Sequence, residues 1–318
     1  MIRAQLNKVL GIDYKTASNM ERRQAMRLHG PEAYSLVETV LVEKLQSGWD
    51  SNNAFFMNYV EQRNLAQGDM NEFYVEDNSL LTVSRFAGNH HDIVRQALLP
   101  GKSFVIDTEW KVIKVYADFR LMMTGRIDFA EFIDRCYRSI EVDRYDAIYE
   151  EFMALDDAIP TDLVKGITFS ENTRTDIIEH IETVASAAGS EVTLVGTRPA
   201  LEKLQSTVNY NMWSDAMKDE RHNNQILGNW EGYELLPLRR VNKLNTFQSV
   251  FTAADNNKIL VMPKNMDKPI KLVVEGDVEV YESGRDGMKK DMTVDTEIQY
   301  CEGIGTVVNQ YFGEIKIQ

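Results

Sequence analysis

The chain has 318 residues, 43% hydrophobic and 26% charged, a balance that belongs to folded protein and excludes wholesale disorder. The length exceeds what one compact core needs and predicts two domains, or one elongated domain with arms. Forty-nine acidic residues against 35 basic leave a net charge of −14, which argues against tight nucleic-acid or anionic-membrane binding, because such surfaces cluster Lys and Arg.

No apolar run approaches the ~18 residues of a membrane-spanning helix. The start, Met1-Ile2-Arg3-Ala4-Gln5-Leu6-Asn7, is too polar for a signal peptide and predicts a cytoplasmic chain. Cys136 and Cys301 lie far apart and form no CxxC; both are expected to be reduced, packed thiols.

The first fifty residues read as helical. Ser18 or Asn19 caps a basic, Met-containing segment with Arg22, Arg23 and Arg27, which Gly30-Pro31 ends. Leu36, Val37, Val40, Leu41 and Leu45 then form an i, i+3, i+4 stripe. Two such short helices cannot bury their stripes alone, so they lie on another part of the molecule or on another molecule.

From Met70 to Tyr116 the pattern becomes extended. Phe73, Val75, Leu81, Val83 and Phe86 mark outgoing strands; Phe104, Ile106, Val112, Ile113, Val115 and Tyr116 mark returning ones. Gly88-Asn89-His90-His91 and Pro100-Gly101 are loop signals between them. A long β-excursion is predicted, projecting from the body and packing on a neighbour.

Asp128 caps the clearest element. Phe129, Phe132, Ile133, Cys136, Tyr137, Ile140, Tyr145, Ile148, Tyr149 and Phe152 recur at helical spacing, opposite Glu131, Asp134, Arg135, Arg138, Asp143, Asp146 and Glu150. Carried to Leu155, this helix is about 40 Å long. Its apolar stripe is expected to pack on strands around Val278 to Tyr281 and Val294 to Ile298, with Asp143 on the wet face.

After Gly166 the chain turns mixed α/β. A helix over about 172–188 stops at Gly189, Val192 to Gly196 is a buried strand, and Pro199 opens a short helix. A further helix is predicted over 214–227, and strands through Leu235-Leu236 and Lys258 to Met262. The remainder, 270–318, is strand-rich, with a turn at Asp286-Gly287.

The search for chemistry yields little. His90-His91-Asp92 lacks further ligands at metal spacing, and His180 and His222 read as surface residues. Asp143, Asp146, Glu150 and Glu151 read as a solvated face. Gly303-Ile304-Gly305 lacks the third glycine of a phosphate loop, since Val308 stands there. Gly196-Thr197-Arg198-Pro199 loses one amide to Pro199, and no serine sits in a G-x-S-x-G elbow. Arg239-Arg240 and Lys289-Lys290 are isolated basic pairs. The expectation is no enzyme, no cofactor and no metal.

The order of elements, with Gly125-Arg126-Ile127-Asp128-Phe129 leading into the long helix, Val192-Thr193-Leu194-Val195-Gly196-Thr197, and Asp255-Asn256-Asn257-Lys258-Ile259-Leu260-Val261-Met262-Pro263, resembles the major capsid protein of tailed bacteriophages. That Hong Kong-type fold is shared with encapsulins and the herpesvirus capsid floor. The resemblance implies an α+β chain with a helical arm over 1–66 and an extended β-loop over 67–118. It implies a peripheral domain over 119–165 and 266–318, with the long helix at about 128–155 as its spine, and an α/β axial domain over 166–265. Phe73, Phe86, Leu36 and Leu41 are the candidate inter-subunit contacts.

The implied function is a structural protein that assembles as hexamers and pentamers into an icosahedral shell around a double-stranded DNA genome, in a virion assembled in the host cytoplasm. Implied partners are other copies, a portal, a separate scaffolding protein (the chain starts directly in the arm) and a cementing protein. Packaged DNA would be touched only loosely, and no membrane is involved. A lysine of the extended loop forms a cross-link in one relative; Lys102 and Lys111 are the lysines nearby here. The alternatives are an encapsulin-like nanocompartment shell and, from another class, a soluble two-domain enzyme.

Overall fold

The computed structural model describes residues 54–76, 96–97, 101–118, 129–209, 213–224, 226–282 and 293–318, with scattered positions among 7–39. In the first segment the described positions from 20 to 29 are helical, and Ser18 supplies the cap. Its amide and hydroxyl donate to Glu21 at 2.8 and 2.9 Å, while its Oγ accepts from the Glu21 amide, the reciprocal arrangement of a capping box.

Two sheets organise the body. The first has the order β1-β10-β11-β4: β1 (Val60–Leu65) runs parallel to β10 (Ile270–Glu282), which pairs antiparallel with β11 (Thr293–Thr306), which pairs antiparallel with β4 (Glu109–Asp118). The register of β10 on β11 shifts between Glu275 and Glu279, a bulge that bends the long pair. The second sheet has the order β5-β12-β9-β6-β8-β7. Its members are β5 (Val164–Ile167), β6 (Val192–Thr197), β7 (Asn229–Trp230), β8 (Tyr233–Leu238), β9 (Lys258–Pro263) and β12 (Gly313–Ile317). Every residue of β6 is buried, which is why that strand reads as a continuous run rather than an alternation.

Helix α1 (Ala54–Tyr59) precedes β1, and the long helix α2 spans Phe129–Met153. Helices α3 (Arg174–Ala188) and α4 (Arg198–Gln205) cover the six-stranded sheet, and α5 (Asp215–Asn224) lies beyond it. α3 ends where expected: Gly189 adopts φ 67° and its amide closes on the Ala185 carbonyl, a conformation that costs other residues a Cβ clash.

α2 joins the two sheets. Cys136 and Ile140 are buried on the side that meets β10 and β11. The C-terminal half carries Tyr145, Tyr149 and Phe152 into the main core, where Phe55 lies 4.8 Å from Phe152, Phe56 lies 5.0 Å from Tyr145, and Phe251 lies 5.0 Å from Tyr149, ring centre to ring centre. Such pairs add about 0.5–1.5 kcal/mol each beyond the area they bury. Lys258 pins the end of α2 by donating to the Met153 carbonyl at 3.2 Å and to Asp156 at 3.0 Å.

Several expectations shift. Residues 54–65, expected in the arm, form α1 and the edge strand β1 parallel to β10, because Phe55, Phe56 and Tyr59 complete the aromatic core. Residues 109–118, expected in the projecting loop, are an edge strand of the four-stranded sheet. The end of the chain, expected with the long strands, crosses to the six-stranded sheet as β12 between β5 and β9, where Ile315 is fully buried. Gly125 to Asp128, the Asp286-Gly287 turn and the side chains of Phe129, Phe132 and Ile133 lie outside the described residues.

Candidate assembly surfaces

Of the expected β-excursion, the described strands form a two-stranded ribbon, β2 (Glu72–Val75) antiparallel to β3 (Lys102–Val105), while Leu81, Val83 and Gly88 to His91 lie outside the described residues. Strand alternation sends Phe73 and Tyr74 to opposite sides. Phe73 goes inward: it is buried with Ile106 and Val273, under the Arg63 guanidinium at 4.0 Å. It was expected on an inter-subunit face, and the structure corrects this, since a ring covered by its own subunit has no surface left for a neighbour. Tyr74, Phe104 and Val105 are exposed instead. Leu36 is helical and half-buried, while Phe86 and Leu41 lie outside the described residues.

Lys102 is exposed on β3. Lys111 faces α2, where its Nζ lies 2.7 Å from Asp143 and 2.9 Å from Glu302; these carboxylates hold its ammonium above the usual lysine value against the pull of desolvation, which acts the other way. Glu302 also takes the guanidinium of Arg144, and both of those side chains are buried. Asp143 is therefore partnered, and the wet face of α2 begins at Glu131, Asp134, Arg135 and Arg138. Sequence reasoning missed Arg144, although it stands at the i+4 position between buried Ile140 and Ile148. A charge placed inside an apolar stripe is the signal that finds it.

The remaining candidates are structural. His222 is exposed, but His180, expected at the surface, is buried and donates from Nε2 to the Glu314 carbonyl at 3.2 Å. Gly303 and Gly305 are buried or half-buried in β11 beneath the Ile106-Asp107 turn. Cys136 and Cys301 are buried free thiols, and burial pushes Cys136 up to about 11. His90-His91-Asp92 lies outside the described residues, among which no group of three His, Cys, Asp or Glu is placed to hold a metal. No described helix is long and apolar enough to cross a membrane.

The four-stranded sheet has one face on α2. By alternation its other face carries Trp110, Val112, Lys114 and Tyr116 of β4, in register with Cys301, Gln299, Glu297 and Asp295 of β11. Trp110, Val112 and Tyr116 are 49%, 51% and 75% exposed. An apolar row of this kind on an edge strand is a candidate contact surface.

A long helix laid across a long-stranded sheet, a ribbon at its margin and an α/β sheet at its end together make the Hong Kong-type phage capsid fold. The same arrangement occurs in the mature capsid of bacteriophage PhiM1 (13% identity, TM-score 0.53, 86% of this chain and 89% of that one). It occurs also in the capsid of cyanophage P-SCSP1u (11%, 0.54, 87% and 94%) and in Mycobacterium phage Che8 (11%, 0.52, 84% and 92%). At these identities the likeness is one of fold. A family model described as "SPbeta prophage-derived putative capsid protein YonB" matches residues 1–316, and the chain belongs to that family. No curated protein matches it.

Proposed function

We infer that this chain is the major structural subunit of a phage-type shell, and the observation that carries the reading is the family match over residues 1–316 on a capsid fold. Its work is then assembly rather than catalysis. The four-stranded sheet with α2 would form the periphery of each capsomer, and the six-stranded sheet with α3 to α5 would crowd the hexamer and pentamer axes. The ribbon β2–β3, with Tyr74, Phe104 and Val105 exposed, would lie on an adjacent subunit and hide apolar surface that one copy leaves wet.

A net charge of −14 suits a wall from which packed DNA slides without adhering. A portal, a separate scaffolding protein and a cementing protein complete the proposed assembly, which takes place in the host cytoplasm. Electron microscopy of the purified protein tests the reading. Closed shells or tubes are expected, and nuclease-protected DNA inside particles from an induced host would mark a viral shell. A monomer or dimer at every concentration would contradict it.

A further inference from the structure

The longest stretch of the chain without an acidic residue runs from Leu235 to Ala254. It carries Arg239, Arg240 and Lys243, net +3 in a chain of −14, which leaves −17 for the rest. The fold gives the Arg239-Arg240 pair company, because residues 241–250 form a closed hairpin. Asn242 bridges Ser249, the Val250 amide donates to the Val241 carbonyl at 3.0 Å, and the Lys243 amide donates to the Gln248 carbonyl at 2.9 Å. At the tip Asn245 takes the left-handed conformation, φ 55°, which asparagine tolerates better than most residues. The Thr246 amide and hydroxyl both donate to the Lys243 carbonyl.

The hairpin is anchored at its root and open at its tip. Val250 and Phe251 are buried, and the Phe251 ring lies 5.0 Å from that of Tyr149 on α2. Beyond them Leu244 is 44% and Phe247 97% exposed, and Arg239, Arg240 and Lys243 are exposed as well. The Asp146 carboxylate of α2 stands 3.9 Å from Lys243 Nζ. That is the outer limit of an ion pair, so it draws off little of the charge.

We propose that this hairpin is a nucleic-acid contact, in which Arg239, Arg240 and Lys243 hold backbone phosphates and Phe247 lies against a base. Phosphate suits the bases, because arginine forks match its oxygens and an acid-free segment does not repel it. The aromatic tip favours nucleic acid over an acidic protein, since every base presents a π-face on which a ring held in place can stack. Three contacts give weak, sequence-independent binding, a local exception on a chain whose remaining −17 repels nucleic acid. Many copies in one lattice would multiply it. The inference rests on the shell reading for its setting, and it puts the hairpin on the surface that meets the enclosed genome.

Fluorescence anisotropy of the unassembled full-length chain, with a short oligo(dT) and a duplex of equal length as probes, tests it. The wild type should bind the single strand more tightly, because its bases are free to stack. Its log Kd should rise with log salt at a slope of about 2, the value for three phosphates on a single strand. Arg240→Gln with Lys243→Gln should weaken both probes about tenfold. Phe247→Ala should weaken the single strand about tenfold and the duplex much less. Thermal melts should not move, since all three side chains are exposed. Lys102→Gln with Lys114→Gln, the same charge change on exposed residues of β3 and β4, should bind as the wild type does. The assignment is overturned if neither probe binds, if that control pair loses as much affinity as the hairpin pair, or if Phe247→Ala binds the single strand normally. Hairpin variants that bind normally yet fail to assemble would also overturn it and give Phe247 to a neighbouring subunit. A wild-type chain that binds both probes but never forms particles would remove the shell reading and leave the contact standing.

Discussion

Arg144 of α2 and Glu302 of β11 meet as an ion pair inside the subunit, with 0% and 1% of their side chains exposed. Lys111 of β4 reaches the other oxygen of the same carboxylate at 2.9 Å and Asp143 at 2.7 Å. Two consecutive helix residues thus grip two adjacent strands, which fixes the long helix to the edge of the sheet that carries the candidate contact face.

Breaking that pair from one side leaves a charge buried without its partner. Glu302→Gln or Arg144→Met is expected to cost about 3–5 kcal/mol in denaturant melts of unassembled protein. Arg144→Met combined with Glu302→Leu should cost less than either alone. A double variant as damaged as the sum of the singles would show that packing, not charge, dominates the site.

The aromatic half of α2 should behave as core. Phe152→Ala, which removes a fully buried ring packed on Phe55, is expected to cost about 3–5 kcal/mol. Glu150→Ala, exposed on the same helix, should stay within about 0.5 kcal/mol of wild type. Equal losses would mean that the helix face has been assigned wrongly.

Gly303 is held by contact. A Cβ there would lie 2.4 Å from the Asp107 carbonyl oxygen and 3.2 Å from Ile106 Cγ2, so Gly303→Ala must push the β3–β4 turn off the sheet. A loss of about 1–3 kcal/mol is expected, together with faster amide exchange at Ile106 and Asp107. Unchanged exchange would place the strain elsewhere.

Two buried groups set opposing pH dependences. Burial lowers the His180 value from 6.5; the unfolded chain then takes up the proton first, and stability falls as pH drops below 6.5. Burial raises Glu314 above its usual 4.5, with Asp156 adding to the rise and Lys316 and Lys258 opposing it. The native state therefore holds that proton more tightly, and stability falls as pH rises above 4.5. His180→Gln should flatten the acid loss below pH 6.5. Glu314→Gln should raise the Tm at pH 7, with the gain vanishing near pH 4.5. A Glu314→Gln variant less stable at pH 7 would show that the Lys316 contact outweighs desolvation.

Much of this fold was legible in the residues. The periodicity from Phe129 to Phe152, the Gly189 stop and the continuous apolar runs of β6 and β9 each follow from a local rule. The Ser18 cap was equally readable. The sheet memberships of β1 and β12 were not, because a short strand carries no mark of its distant partner: Val60 pairs with Ile270, and Gly313 with Val261. Buried charges were hidden for a related reason. Arg144, Glu302 and Glu314 look like surface residues until the partner strands arrive. Phe73 was assigned to a neighbour because local sequence cannot tell a ring that folds back under Arg63 from one that projects.

The most direct test of the account is a cryo-EM reconstruction of the assembled particle at a resolution that traces the backbone. The account predicts a closed or tubular lattice of hexamers and pentamers, with the six-stranded sheet at the capsomer axes and the four-stranded sheet and α2 at their margins. It also predicts a neighbour's chain over Trp110, Val112 and Tyr116. A lattice in which that face meets only solvent would contradict the assigned contacts, and protein that yields no lattice at all would contradict the shell itself.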